Sequence, residues 1–285
     1  MPWQCWFLRQ LLRSISAANK TQCDVCGRGF TPLNKKFFIQ PRFGFIAYAD
    51  HRSAGVNSRP RRATGSTSYV SSGSDSDTNW ISTAKYSHSV AHDSQLLTIT
   101  TKESLFCKTC GYAQPMEQGR PRSHKDPRNG RDCPTTTTSP IYFGHEFKTD
   151  VFRLKFNQRV APCNCGEPDC LGSLESAAAA LVTGAARVLG VANNDLNSSA
   201  QRYATGESRI NIFDTTPGGI GLAVAISERL DEIFAQAMKV VKNCPNCDEN
   251  SSCYTCLRSY SNQRKHDHLT RSSALSLIQA LTQGV

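Results

Sequence analysis

Apolar positions recur at helical spacing in three stretches of the C-terminal half of the chain. Leu174, Ala178, Leu181 and Ala185, with Val188 or Leu189, fall on one face. This predicts a helix from Ser173, a capping residue type, through Leu189, with Gly190 as its stop. Leu222, Ile226, Leu230, Ile233, Phe234, Ala237 and Val241 continue the same period and predict one long amphipathic helix. Leu275, Ile278 and Leu281 mark a final helix from about Arg271. Elsewhere the period shortens to two. Alternation through Gly144–Phe156 suits a half-buried strand, and Gln95–Thr100, Arg209–Asp214 and Phe37–Ile39 read as further strands. A short amphipathic stretch around Trp6, Phe7, Leu11, Leu12 and Ile15 is helical in pattern. Together these elements predict an α+β fold, a mixed sheet flanked by helices.

Polarity divides the chain into four segments. Residues 1–51 form an N-terminal segment. Over 52–95, four arginines (Arg52, Arg59, Arg61, Arg62) lead into the Ser/Thr/Gly/Asp-rich run Thr64–Asp77. Such a composition buries too little apolar surface to offset ordering entropy, so a mobile insertion is expected there. Residues 96–143 include a basic loop with Arg120, Arg122, His124, Lys125, Arg128 and Arg131. Residues 144–285 carry the strongest periodicity.

Charge and cysteines narrow the partners. The formal charge is +10, from 33 Lys and Arg against 23 Asp and Glu. A clustered basic excess suits a polyanion, with nucleic acid first among them. No apolar run approaches the roughly 18 residues of a membrane span. The opening Met1–Arg9 is too short and too soon interrupted by arginine for a signal peptide, so the expected location is the cytosol. In a reducing compartment the 13 cysteines point to metal rather than disulfides.

Cys244, Cys247, Cys253 and Cys256 are two Cys-x-x-Cys pairs in one short segment after the long helix. Four thiolates at that spacing can close a tetrahedral Zn2+ shell with no open position, which makes the ion structural. Cys23-x-x-Cys26-Gly and Cys107-x-x-Cys110-Gly are near copies of one another and suit two facing zinc-ribbon knuckles. The roughly eighty residues between them could loop out at small cost, because closure entropy grows logarithmically. A rival assignment keeps Cys107 and Cys110 local and completes their site with His124 and Cys133. Cys163, Cys165 and Cys170 have no assigned partner.

Pro217-Gly218-Gly219-Ile220-Gly221 connects a strand to a helix. Such a turn can present amides to a phosphate, but a tight connection explains it better, and no Gly-Lys-Ser/Thr follows to make a P-loop. Beyond the cysteines, Arg258, Tyr260, Arg264, Lys265 and Arg271 interleave cations with an aromatic, a composition suited to phosphate contact and base stacking. The competing role for this segment is intramolecular, with Asn262, Gln263 and Asp267 tying the last helix to the core. His266 and His268 lack the carboxylates or nucleophile that a catalytic role would need.

The order Gly144-His145-Glu146-Phe147-x-Thr149-Asp150-Val151, then Ile212-Phe213-Asp214-Thr215-x-Pro217-Gly218-Gly219-x-Gly221, the four cysteines and Cys256-Leu257-Arg258-Ser259-Tyr260-x-Asn262-Gln263 resembles the MrfA-type zinc-binding domain. That domain occurs at the C-terminus of superfamily 2 DEAD/DEAH-box helicases and in DrmB-like proteins of DISARM anti-phage systems. The likeness is specific from about residue 107 onward. It implies zinc on Cys244, Cys247, Cys253 and Cys256, and work on DNA beside a helicase. Nothing in the chain matches a Walker A or DEAH motif, so the expectation is an accessory, non-enzymatic subunit. A scaffold that docks a helicase without touching DNA, and the C-terminal fragment of a split helicase, are the alternatives. A metal-dependent nuclease would need clustered acids, and Asp214 is the only one near the glycine turn.

Overall fold

The computed structural model describes residues 79–100, 102–135, 138–157, 171–203 and 205–282, together with the backbone of 38–39 and 66–70. The stretch around Trp6–Ile15, Cys23, Cys26, most of the Thr64–Asp77 run, and Cys163, Cys165 and Cys170 lie outside the described residues.

One long strand organises the sheet. β7 (Ser139–Phe156) lies between β4 (Ser87–Thr100) and β9 (Ser208–Asp214), antiparallel to both. β2 (Ser66–Val70) and β3 (Ile81–Ser82) pair with β4, and β8 (Leu196–Arg202) pairs with β9, all antiparallel. β1 (Phe38–Ile39) joins β7 in parallel, which makes the sheet mixed. Near the start of β7, β5 (Ser104–Phe106) pairs with it and carries β6 (Ala113–Pro115) as a hairpin partner. The fold is α+β, as expected.

Alternation along β7 decides which side faces the helices. Phe152, Leu154 and Phe156 join Ile210 and Ile212 in the main core, while Val151 clusters with Phe213 and Leu96 in a smaller one. The helices pack on the first face. α1 (Gly172–Leu189) lies almost wholly inside and ends at Gly190, whose left-handed φ of 71° makes the stop that the sequence implies. Ser173 is a helical residue rather than the cap. The cap position is Leu171, and the Ser173 hydroxyl is buried without a hydrogen-bond partner.

The expected single long helix is two. α2 (Leu222–Glu228) and α3 (Leu230–Lys242) meet at Arg229, which leaves helical geometry at φ −118° and ψ 28°. Arg229 donates to the carbonyl of Val188 at the end of α1 (2.9 Å) and pairs with Glu232. Apolar spacing survives the break because the periodic residues face the same core on both sides of it. α4 (Arg271–Thr282) closes the helical layer with Ala274, Leu277, Ile278 and Leu281.

Two segment borders need correction. β4 runs through residue 95 and β7 through residue 143, so those borders fall inside paired strands. Within the segment expected to be a mobile insertion, residues 66–70, 81–82 and 87–95 are strands. Polar Ser89 and Ser94 are buried there by the pairing of β4 with β7, a tertiary effect that composition cannot register.

Candidate metal centre and the surface beside it

Cys244 follows two residues after the end of α3, where the helix leaves carbonyls without intrahelical partners. Arg271, the first residue of α4, fills that gap. Its guanidinium donates to the carbonyls of Val241 (2.6 Å) and Lys242 (2.9 Å) and to that of Cys247 inside the first cysteine turn. From α1, Thr183 donates to the carbonyl of Cys256 (2.9 Å) and Arg187 to that of Thr255 (3.0 Å). The backbone amides of Arg271 and Ser272 reach Ser251 and Glu249. Three helices therefore hold the cysteine segment.

Within it the sulfurs converge. Cys244–Cys253 is 3.5 Å, Cys244–Cys247 3.8 Å, Cys247–Cys256 3.6 Å and Cys253–Cys256 3.7 Å, each measured between Sγ atoms. A disulfide needs about 2.05 Å, so none is formed. A tetrahedron of sulfurs at about 2.3 Å from a central Zn2+ has edges of about 3.8 Å, and the cluster matches that shape. Burial pushes the Cys253 thiol up, yet contacts with the Thr255 backbone and the neighbouring cysteines pull it down to about 7. Cys256 goes the other way, pushed up to about 12 by its burial. Four thiolates at such spacing would repel one another without a cation between them, and a divalent ion resolves that conflict.

The second predicted pair occupies another turn. Cys107 and Cys110 are buried after β5, and His124 and Cys133 come to the same place, with all four ligating atoms within 4.8 Å of one another. Burial pushes the Cys107 thiol up, but backbone contacts with Cys110 and Thr109 outweigh it and hold the group at about 6. Cys110 rises to about 11, chiefly from burial. Pairing with Cys23 and Cys26 falls on residues outside those described.

The five residues expected to meet nucleic acid are treated unequally. Tyr260 is exposed, as is Arg264. Arg258 is half-buried, with Nε on the Ser252 hydroxyl at 3.0 Å. Lys265 forms an ion pair with Glu175 of α1 at 3.0 Å. Arg271 requires a correction. It is only 7% exposed and fully engaged by carbonyls of its own chain, so it supports the cysteine segment and presents no charge to a phosphate. Spacing alone could not separate it from its exposed basic neighbours, since its partners lie on another helix.

Between these cations, Asn262 accepts from the Ser259 amide (2.8 Å), donates to the Leu257 carbonyl (2.8 Å) and touches His266 (2.9 Å). Tyr254, inside the second Cys-x-x-Cys pair, has no part in the expectations from sequence. It is 61% exposed, with its ring edge-on to His266 at 5.4 Å. An aromatic between two ligand cysteines is the signal that could have found it.

The glycine turn is occupied by the chain itself. Asp214, fully buried at the end of β9, accepts the Ile220 amide at 2.6 Å and faces the amides of Gly221 and Leu222. Burial pushes its carboxyl above the usual range, with those amides opposing the shift. Gly218 donates to the Lys148 carbonyl at 2.7 Å, and a Cβ at Gly219 would lie 3.3 Å from the Asp150 nitrogen. The turn is a tight strand-to-helix connection whose amides answer an internal acid.

A sheet backed by helices carries a four-cysteine cluster whose geometry could hold a metal ion with no open position. Residues 177–257, which include all four of these cysteines, match the family described as the MrfA Zn-binding domain. A search of curated proteins gave no match. Among solved structures the chain is similar to the crystal structure of the DUF1998 helicase MrfA bound to DNA, at 16% identity and a TM-score of 0.47, over 77% of this chain and 25% of that one. The same helicase bound to DNA and AMPPNP matches at 15% identity and a TM-score of 0.34, over 75% of this chain and 22% of that one. The chain thus spans about a quarter of the length of those structures. Among the described residues no helix is long and apolar enough to cross a membrane.

Proposed function

We propose that the chain is a zinc-dependent, DNA-contacting accessory module of a superfamily 2 helicase system, cytosolic and without a motor of its own, serving DNA repair or anti-phage defence. The observation that carries this reading is the four-cysteine cluster clamped by α1, α3 and α4, with exposed Tyr254, Tyr260 and Arg264 beside it. Zn2+ on Cys244, Cys247, Cys253 and Cys256 would supply rigidity rather than chemistry, since a shell of four thiolates leaves no open position. Tyr254 lies inside the cysteine cluster, and Tyr260 and Arg264 are exposed in the segment that follows it. Rings of that kind stack on unpaired bases, and the cation neutralises a phosphate. The match of residues 177–257 to the MrfA Zn-binding domain supports reading the partner as a helicase and the polyanion as DNA.

Fluorescence anisotropy with single- and double-stranded oligonucleotides tests it. Arg264→Glu should weaken binding and lower the salt-dependence slope by about one. Tyr260→Ala should weaken single-strand binding by roughly 5- to 150-fold, the equivalent of about 1–3 kcal/mol of stacking. Unchanged affinity and slope in both variants would overturn the DNA assignment. A helicase-docking scaffold draws support from Lys265 and Arg271, whose charges are engaged internally. Retained helicase binding alongside absent DNA binding would select that reading.

A further inference from the structure

We propose that Cys107, Cys110, His124 and Cys133 hold a second zinc ion, bound independently of the C-terminal cluster. These residues lie outside the 177–257 family match.

The donors arrive on two turns that face each other. In the first, the Cys107 amide donates to the Tyr112 carbonyl and the Gly111 amide to the Cys107 carbonyl, both at 2.9 Å. Gly111 sits at φ 79°, a left-handed conformation that lets the chain double back after Cys110. In the second, the Cys133 amide donates to the His124 carbonyl at 2.9 Å, and Lys125 bridges to Asp132. His124 and Cys133 thereby become neighbours across a hairpin-like turn. The Sγ atoms of Cys107 and Cys133 are 4.0 Å apart, near the edge of a zinc–thiolate tetrahedron of about 3.8 Å.

Two observations require an occupant. First, His124 is 6% exposed, and its buried ring nitrogens have no partner apart from the cysteine sulfurs they face. A neutral imidazole in that position forfeits a donor and an acceptor, and a metal on the free lone pair relieves the acceptor half of that loss. The Tyr112 ring stacked on His124 at 4.6 Å fixes the plane of the imidazole for coordination. Second, the apolar cluster at this place consists of Cys107, Cys110 and Cys133 with Tyr112 packed against them. That is too little hydrophobic surface to hold two turns together, and a metal substitutes for the missing core.

Donor chemistry selects the ion. Three thiolates and one imidazole in a small buried shell suit tetrahedral Zn2+ over the hard, oxygen-seeking cations. All four positions are filled by protein, so the site is structural. It would join the β5–β6 hairpin to the exposed basic turn that carries Lys125, Arg128 and Arg131.

Elemental analysis of the purified full chain should find two zinc ions per molecule. His124→Ala should bind one, as should Cys253→Ser, each variant losing a different ion. Zinc-edge X-ray absorption of the wild type should fit seven sulfurs and one nitrogen over the two ions. His124→Cys should keep both ions and lose the nitrogen, a result that holds the test open should His124→Ala fail to fold. One zinc in the wild type would overturn the proposal. So would an all-sulfur wild-type shell with His124→Ala still binding two, which would hand Cys107 and Cys110 to Cys23 and Cys26.

Discussion

Arg271 answers the end of α3 with one planar cation, taking two carbonyls that the helix cannot satisfy and a third from the Cys244–Cys247 turn. Its removal leaves buried acceptors without donors. Hydrogen bonds to a charged group contribute about 1.5–3 kcal/mol each, so Arg271→Ala should lower stability by at least about 3 kcal/mol in urea titrations and speed zinc release to a chelator. Arg271→Lys should restore little, because an ammonium cannot span three acceptors in the plane of the fork. Unchanged zinc release in both variants would remove Arg271 from the metal site. Asp214 carries the opposite cost. Its folded pKa is raised by burial, so the folded state favours the protonated acid. Stability from this group is complete below the ordinary Asp value of about 3.9 and declines as pH rises through the raised value. Asp214→Asn has no such titration, and the difference between the two unfolding curves should reproduce the decline. A difference that is flat across that window would contradict the raised value.

At the scale of elements, α1 and α3 approach so closely that only glycine fits at residue 184. A Cβ there would meet the Ile233 carbonyl oxygen at 2.9 Å and the Ala237 Cβ at 3.0 Å. Gly184→Ala gains about 1 kcal/mol of helix propensity, but overpacking against backbone costs about 1–3 kcal/mol. The net expectation is a lower thermal midpoint, and a rise would show that α1 can shift. This close contact places Thr183 and Arg187 beside the second cysteine pair. Sequence periodicity identifies α1 and the apolar positions of α2 and α3, because every periodic residue faces one core. It cannot foresee the break at Arg229, whose partner Val188 lies on another helix. Nor does it register β8, Leu196–Arg202, where Leu196 and Ala200 are the buried apolar residues and Ser199 accepts from Asn211 at 3.2 Å.

For the whole molecule, metal content and fold should separate by region. Under chelation, amide-exchange protection should fall over 244–272, where α1, α3 and α4 grip the cysteine segment. Strands β4, β7 and β9 should retain theirs, since their pairing involves no cysteine. Equal loss in both regions would mean that bound metal, at either cluster, holds the entire fold. Net charge belongs to this scale as well. Of the basic residues that make the surface cationic, some are committed internally, as Lys265 is to Glu175 and Arg271 to carbonyls.

The sequence by itself determined what depends on local spacing. Helical and strand periods, the stop at Gly190 and two Cys-x-x-Cys pairs able to meet one ion follow from residues a few positions apart. Tertiary structure decided which distant groups meet. It brought His124 and Cys133 to Cys107 and Cys110, turned the amides of the glycine loop onto Asp214, and buried Arg271 among carbonyls of another helix. The physical reason is that a charge or a lone pair acts on whatever lies within a few ångströms, and at those distances the neighbours are set by packing rather than by order along the chain.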